Sequence, residues 1–284
     1  SASAADKLDK AIAAAEKASA LDPNSVEYAI LTAGCQYRKS SVYGDASSLQ
    51  GVIDRTNSAL KLADAQDTPG PTQIARRLNR LSLCSLLARC CVERILSLPE
   101  SDPSREPLLA RLEAAVGEIR QMQGGSDNPQ IQKWQGMLDL ARGHAGKAVQ
   151  NLYAAYRQVK AANSPDKRDP FLAQTLATIF RETSETGAVI DFLGTALSSG
   201  VLHTKPDALL DYGDALLRAG ACDSAASAVE SFEERFGKSD RSRALCVKTL
   251  IARGHAAEAE EAVAGLNADD PKVIELTLDL VRAR

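Results

Sequence analysis

The sequence predicts an all-α protein, a solenoid built from antiparallel helix pairs. Three observations carry that prediction. Near the C-terminus the chain repeats itself: Gly220-Ala-Cys-Asp-Ser-Ala225 aligns with Gly254-His-Ala-Ala-Glu-Ala259, with Gly and Ala both recurring after 34 residues. The hexapeptide Leu140-Ala-Arg-Gly-His-Ala145, followed by Ala148, reappears as Ile251-Ala-Arg-Gly-His-Ala256, followed by Ala259. Aromatic residues make up only 4% of the chain while Ala and Leu abound, a balance that suits close helix packing and not strands rich in Val, Ile and Tyr.

The repeating unit has a simple physical logic. A first helix ends at a Gly that can take positive φ, so the chain turns sharply into a second helix. A small residue there (Ala148, Ala225 or Ala259) lets the two helices approach closely. The apolar positions keep step: Leu209, Leu216, Val229 and Phe232 stand opposite Arg243, Leu250, Val263 and Leu266, and only the first pair breaks the pattern.

The elements follow in order from these anchors. Ala11-Ile-Ala-Ala-Ala15-Glu-Lys-Ala18, ending at Leu21-Asp-Pro-Asn24, reads as the second helix of a pair. Residues 24–40 and 46–64 make the next pair, and 72–98 with 104–122 a longer-helixed one. Regular pairs are expected at 129–162, 170–200, 206–237 and 240–268. In the 170–200 unit Ser184 replaces the turn glycine, yet Leu176, Phe180, Val189, Leu193 and Ala196 keep the periodicity. Linkers rich in helix breakers separate the pairs, at Asp67-Thr-Pro-Gly-Pro71, Pro99-Glu-Ser-Asp-Pro103, Gly124-Gly-Ser-Asp-Asn-Pro129 and Asn163-Ser-Pro-Asp166. Pro271-Lys-Val-Ile-Glu-Leu-Thr-Leu-Asp-Leu-Val281 closes the sequence as a first helix. The expectation is one array over residues 1–284, irregular over 1–123 and more regular over 129–284, excised from a longer protein. An uncapped terminal helix further implies self-association through exposed apolar surface.

A period of 34 with helix–turn–helix patterning resembles the tetratricopeptide (TPR) repeat. Small Gly136, Ala177 and Gly213 in first helices and Pro271 after a second helix strengthen the resemblance over 129–284. A HEAT-like or Sel1-like solenoid is the alternative for the long helices between 72 and 122. The TPR resemblance implies a right-handed superhelix whose first helices line a concave groove, where extended peptides or partner helices lie. Carried over by position, the groove residues are Lys133, Met137, Gln174, Thr178, Arg181, Leu210, Asp214, Leu217, Arg241, Lys248 and Ile251. Arg181, Arg241 and Lys248 would then meet an acidic peptide, with Leu210, Leu217 and Ile251 as apolar contacts. The carboxylate clamp of chaperone-binding members is not matched. Its Lys and Asn positions hold Lys133 with Met137, Gln174 with Thr178, Leu210 with Asp214, and Ala244 with Lys248.

The function expected is that of a protein–protein interaction scaffold holding a partner's peptide or helix. The alternative is a regulatory or spacer segment fused to a catalytic or membrane domain. No enzyme, cofactor or metal site is expected. A net charge of −3 gives no field to draw nucleic acid or an anionic membrane. The longest apolar run, Leu81 to Ala88, is far shorter than the ~20 residues that cross a bilayer. Six cysteines, Cys35, Cys84, Cys90, Cys91, Cys222 and Cys246, show no C-x-x-C spacing, and read as small core residues of a cytoplasmic chain.

Catalytic motifs fail on context. Ser58-Ala-Leu-Lys61 and Ser126-Asp-Asn128 match two elements of serine β-lactamases, but Lys248-Thr-Leu250 falls in a helix where the third would need a strand. Gly143-His-Ala-Gly-Lys147-Ala148 is too short for a phosphate loop. His144 and His255 occupy equivalent turns and His203 stands apart, so local turn bonding is expected of them. Glu233-Glu234 and Asp269-Asp270 read as solvated acids. Arg76, Arg77, Arg80, Arg89 and Arg94 form a basic stripe on one long helix, which reads as its wet side.

Overall fold

The computed structural model describes residues 4–43, 48–65, 72–125, 128–161, 169–181, 185–198, 205–264 and 271–282. Among them every regular element is an α-helix. The chain divides into two compact units, Ser1–Lys167 and Arg168–Arg284. The linker 67–71, Ser126, Asp127, the linker 163–166, Ser184, His203, Leu266 and Asp269-Asp270 lie outside the described residues.

The first unit contains α1 (Ala4–Leu21), α2 (Val26–Tyr43), α3 (Leu49–Ala65), α4 (Thr72–Ser97), α5 (Arg105–Gln123), α6 (Pro129–Ala141) and α7 (Ala145–Ala161). Each helix packs on the next, and α2, α4 and α6 also touch in succession. That is the signature of stacked pairs, with first helices adjacent to first helices. Val26, Ala59 and Leu83 bury one core seam across α2, α3 and α4. The expected long helices are there: α4 runs 26 residues. Arg105 at the start of α5 donates to the carbonyls of Ile95 (2.8 Å) and Leu98 (3.0 Å) at the end of α4, and of Ala141 (3.2 Å) at the end of α6. One guanidinium thereby satisfies the orphan carbonyls of two helices.

The second unit holds α8 (Pro170–Phe180), α9 (Thr186–Leu197), α10 (Asp207–Arg218), α11 (Cys222–Phe236), α12 (Asp240–Ala252), α13 (Ala256–Ala264) and α14 (Pro271–Arg282). Leu209, Leu210, Val229, Phe232 and Leu245 form its central cluster. Asn128 and Asp169 cap α6 and α8 with side-chain oxygens, each followed by a proline. Ser239 and Ser242 form a reciprocal capping box on α12. Ser242 also donates to Glu233 at 2.8 Å, tying α12 to α11.

The predicted turns take one shape. Gly143, Gly220 and Gly254 have φ of 79°, 79° and 77°. At each, the following amide reaches back five residues: His144 to Asp139 (2.8 Å), Ala221 to Leu216 (2.9 Å) and His255 to Leu250 (2.9 Å). These are Schellman turns, whose left-handed residue needs glycine. The two histidines therefore serve their turns through backbone amides, and His255 Nδ1 adds a 3.0 Å bond to Glu258. The small residues of the second helices, Ala148, Ala225 and Ala259, are each 0% exposed.

Candidate partner-binding face

In the second unit α10 packs on α12 and α12 on α14, so the outward faces of successive first helices form one strip. α8 is joined to α10 by the Arg218 guanidinium, which donates to the Arg181 carbonyl at 3.3 Å. The strip carries an ion-pair ladder. Arg181 on α8 lies 3.4 Å from Asp211 on α10, and Arg241 on α12 bonds the same Asp211 carboxylate. Arg241 also reaches Asp207 at 3.3 Å. Burial alone would lower the Arg241 pKa, but the bonds and charges of Asp211 and Asp207 outweigh it and hold the guanidinium above its ordinary value. Asp214 is engaged by Arg218 one turn along α10, at 3.2 Å.

The residues predicted to face a partner fall into two groups. Thr178, Arg241 and Lys248 are exposed, and Gln174, Arg181, Asp214, Leu217 and Ile251 are half-buried. Lys133, Met137 and Leu210 are instead 3%, 0% and 1% exposed, so they cannot meet a docked chain where they stand. Close packing explains the difference. Gly136 brings α6 so near to Leu152 of α7 that its neighbours are drawn under, and Lys133 lies over the Trp134 ring at 4.3 Å. Leu210 is taken by the central cluster of its own unit. The positional rule placed these residues on a face without weighing how tightly each pair closes.

Sequence reasoning also missed Asp207 and Asp211. The signal was available: Arg181, Asp211 and Arg241 follow each other at intervals of 30 residues, which is close to one repeat. Two of the three charges reserved for an acidic peptide, Arg181 and Arg241, are thus matched by carboxylates of this chain.

Two arginines of the α4 stripe, Arg77 and Arg80, are spent in the same way within the first unit. Arg77 bonds the Met122 carbonyl, and Arg80 bonds Asp64 and grips both oxygens of Glu118 at 2.7 and 2.9 Å. That grip holds the Glu118 carboxyl below the usual carboxylate range. Cys35, Cys84, Cys90 and Cys91 are core residues. Burial pushes the thiols of Cys84 and Cys91 up to about 12, and that of Cys90 well above its ordinary value. They stay protonated and unreactive at neutral pH. Among the described residues no cluster of His, Cys, Asp or Glu is placed to hold a metal ion. Of the described helices none is long and apolar enough to cross a membrane.

Stacked helix–turn–helix pairs with glycine turns define a helical-repeat protein. No family model and no curated protein matches the chain. Solved structures do. The APC/C hetero-tetramer Cut9-Hcn1 matches with a TM-score of 0.52 at 12% identity, covering 98% of this chain and 54% of that one. The chain thus spans about half the length of that relative. Yeast Tom70 matches at 0.44 and 11% identity over 99% of this chain and 59% of its own. The C-terminal part of a TPR repeat-containing protein from Cytophaga hutchinsonii matches at 0.42 and 10%, over 84% of each chain. The fold is an all-α helical repeat of the tetratricopeptide type.

Proposed function

We propose that this chain is an interaction scaffold that holds a segment of another protein along the first helices of its second unit, across Gln174, Thr178, Leu217, Lys248 and Ile251. The observation that carries the reading is the continuity of that strip, since three consecutive first helices are locked together by Arg181, Asp211 and Arg241. A ladder of paired charges fixes the spacing of the helices and leaves a nearly neutral surface. The segment it fits is therefore mixed in character: apolar side chains against Leu217 and Ile251, polar ones against Thr178 and Lys248. Strong acidity is not what the strip selects, because Asp207 and Asp211 would repel it. The fold supports the reading by analogy, as the Cut9 neighbour occurs in an assembly with Hcn1.

Peptide display on the immobilised chain tests the proposal. Peptides selected on the parent are re-measured against a Thr178→Arg/Lys248→Glu variant and against Tyr153→Ala, which changes an exposed residue of α7 in the other unit. The strip variant weakens binding by about tenfold or more, worth ~1.4 kcal/mol, and Tyr153→Ala leaves it unchanged. Equal affinity for parent and strip variant refutes the placement, and a failure to select any peptide refutes the scaffold role.

A further inference from the structure

On α10, Asp207, Asp211, Asp214 and Arg218 follow one another at steps of three or four residues, so they share one face of the helix. The three carboxylates are not equivalent. Asp214 is matched by Arg218 within α10 itself. Asp207 is 73% exposed and reaches a single cation, Arg241 of α12, at 3.3 Å. Asp211 is only 21% exposed and reaches two, Arg181 of α8 at 3.4 Å and Arg241 of α12. Of the three, Asp211 alone bridges the first helices on both sides of its own. Arg181 is tied from behind as well, since Arg218 donates to its carbonyl at 3.3 Å.

The cations that Asp211 holds are those an incoming carboxylate would need. Arg181 and Arg241 are 42% and 45% exposed, so a ligand could touch both. Lys248 follows Arg241 by seven residues, which puts it on the same face of α12, and it is exposed with no carboxylate paired to it among the described residues. With Asp211 neutral, these three cations would face solvent against Asp207 alone. With Asp211 ionised, an acid arriving from solution must displace a carboxylate that the fold holds in place. A tethered group of that kind competes at an effective concentration on the order of millimolar or above, which a weakly binding acidic segment does not match.

We propose that Asp211 sets the charge specificity of the strip: it fills the anion position between Arg181 and Arg241 with the chain's own carboxylate and so reserves the face for segments that bring no acid there. The proposal rests on the strip being the binding face and adds the residue that does the selecting. Selection of this kind works by exclusion, through a repulsive and competing group, and not by a contact made to the favoured partner.

Fluorescence anisotropy with two labelled probes, hexaglutamate and hexaglutamine, tests the proposal on the full chain. Asp211→Asn binds hexaglutamate about fivefold or more tightly than the parent, since two freed guanidiniums each contribute roughly two- to fivefold. Hexaglutamine binding does not change. The gain fades as salt is raised toward ~1 M, where the Debye length falls to about 3 Å. It is also lost when Arg181→Gln and Arg241→Gln are added to Asp211→Asn. Asp211→Glu stays close to the parent, and so does Glu230→Gln, which removes one negative charge from the exposed side of α11. Asp211→Ser, also neutral, repeats the measurement, so a folding defect peculiar to one side chain does not decide it; helical circular dichroism and melting are read for each variant. Equal hexaglutamate affinity for the parent and a folded neutral variant overturns the proposal. A gain that survives the two arginine substitutions overturns it too, because the anion then binds elsewhere. Neither probe is a peptide selected on the parent, so Asp211 can fail as the selecting residue while the strip still binds, and the strip can fail as the binding face while the hexaglutamate gain appears.

Discussion

Gly136 is where the stacking can be tested to within a methyl group. A Cβ built there would meet Leu152 Cγ at 2.7 Å and the Leu152 amide nitrogen at 3.0 Å. Ordinary carbon contacts lie at about 3.5–4.0 Å, so Gly136→Ala overlaps by about 1 Å. Leu152 is itself 0% exposed, which denies it an easy rotamer, and the clash with its backbone nitrogen requires α7 to move. Overpacking of this kind costs ~1–3 kcal/mol, against a gain of about 0.8–1 kcal/mol for Ala over Gly in a helix. The net expectation is a loss of up to ~2 kcal/mol, in place of the gain the helix preference alone would give. Gly117 in α5 supplies the control, because a Cβ there meets nothing within 4 Å. Gly117→Ala should stabilise by roughly 0.5–1 kcal/mol through the same helix preference. Urea unfolding followed by the fluorescence of Trp134, the chain's one tryptophan and 1% exposed, reads both changes in the unit that contains them. A Gly136→Ala chain stabilised as much as Gly117→Ala would refute the close approach of α6 to α7.

Other perturbations have equally definite outcomes. Arg105→Ala removes donors from three helix-terminal carbonyls and should cost ~1.5–3 kcal/mol by the same unfolding assay, with Arg105→Lys recovering only part. Native-state alkylation at pH 8, read by mass spectrometry, should modify Cys222 and Cys246 first and leave Cys84, Cys90 and Cys91 unlabelled until denaturant is added. The Arg80 grip holds the folded pKa of Glu118 below its ordinary value, so its contribution to stability is fully present above that ordinary value and disappears as pH falls through the folded one. Glu118→Gln should accordingly flatten the acid limb of a stability–pH profile and lower the plateau at neutral pH.

The repeat was legible because its determinants are local and periodic. A glycine that must adopt positive φ, as at 143, 220 and 254, and an alanine five residues on that must be buried leave marks a fixed period exposes. Helix ends were equally readable wherever a proline and a capping side chain coincide, as at Asn128-Pro129 and Asp169-Pro170. The candidate face was read less well, for two physical reasons. Whether a side chain on the strip is free or buried depends on how closely a pair packs, and Met137 and Leu210 were lost to cores that a positional rule does not weigh. Whether a charge is available depends on partners one repeat away: Arg181 and Arg241 looked open to a ligand until Asp211 was found between them. Tertiary pairing of this kind leaves only a weak trace in a single sequence, here the 30-residue spacing of three charged residues.

The central claim, that a partner lies along the first helices of the second unit, is tested most directly by hydrogen–deuterium exchange with and without a selected peptide. The account predicts slowed exchange in 170–181, 207–218 and 240–252, with 186–197 and 222–236 unchanged. Protection confined to those second helices, or to the first unit, would contradict it.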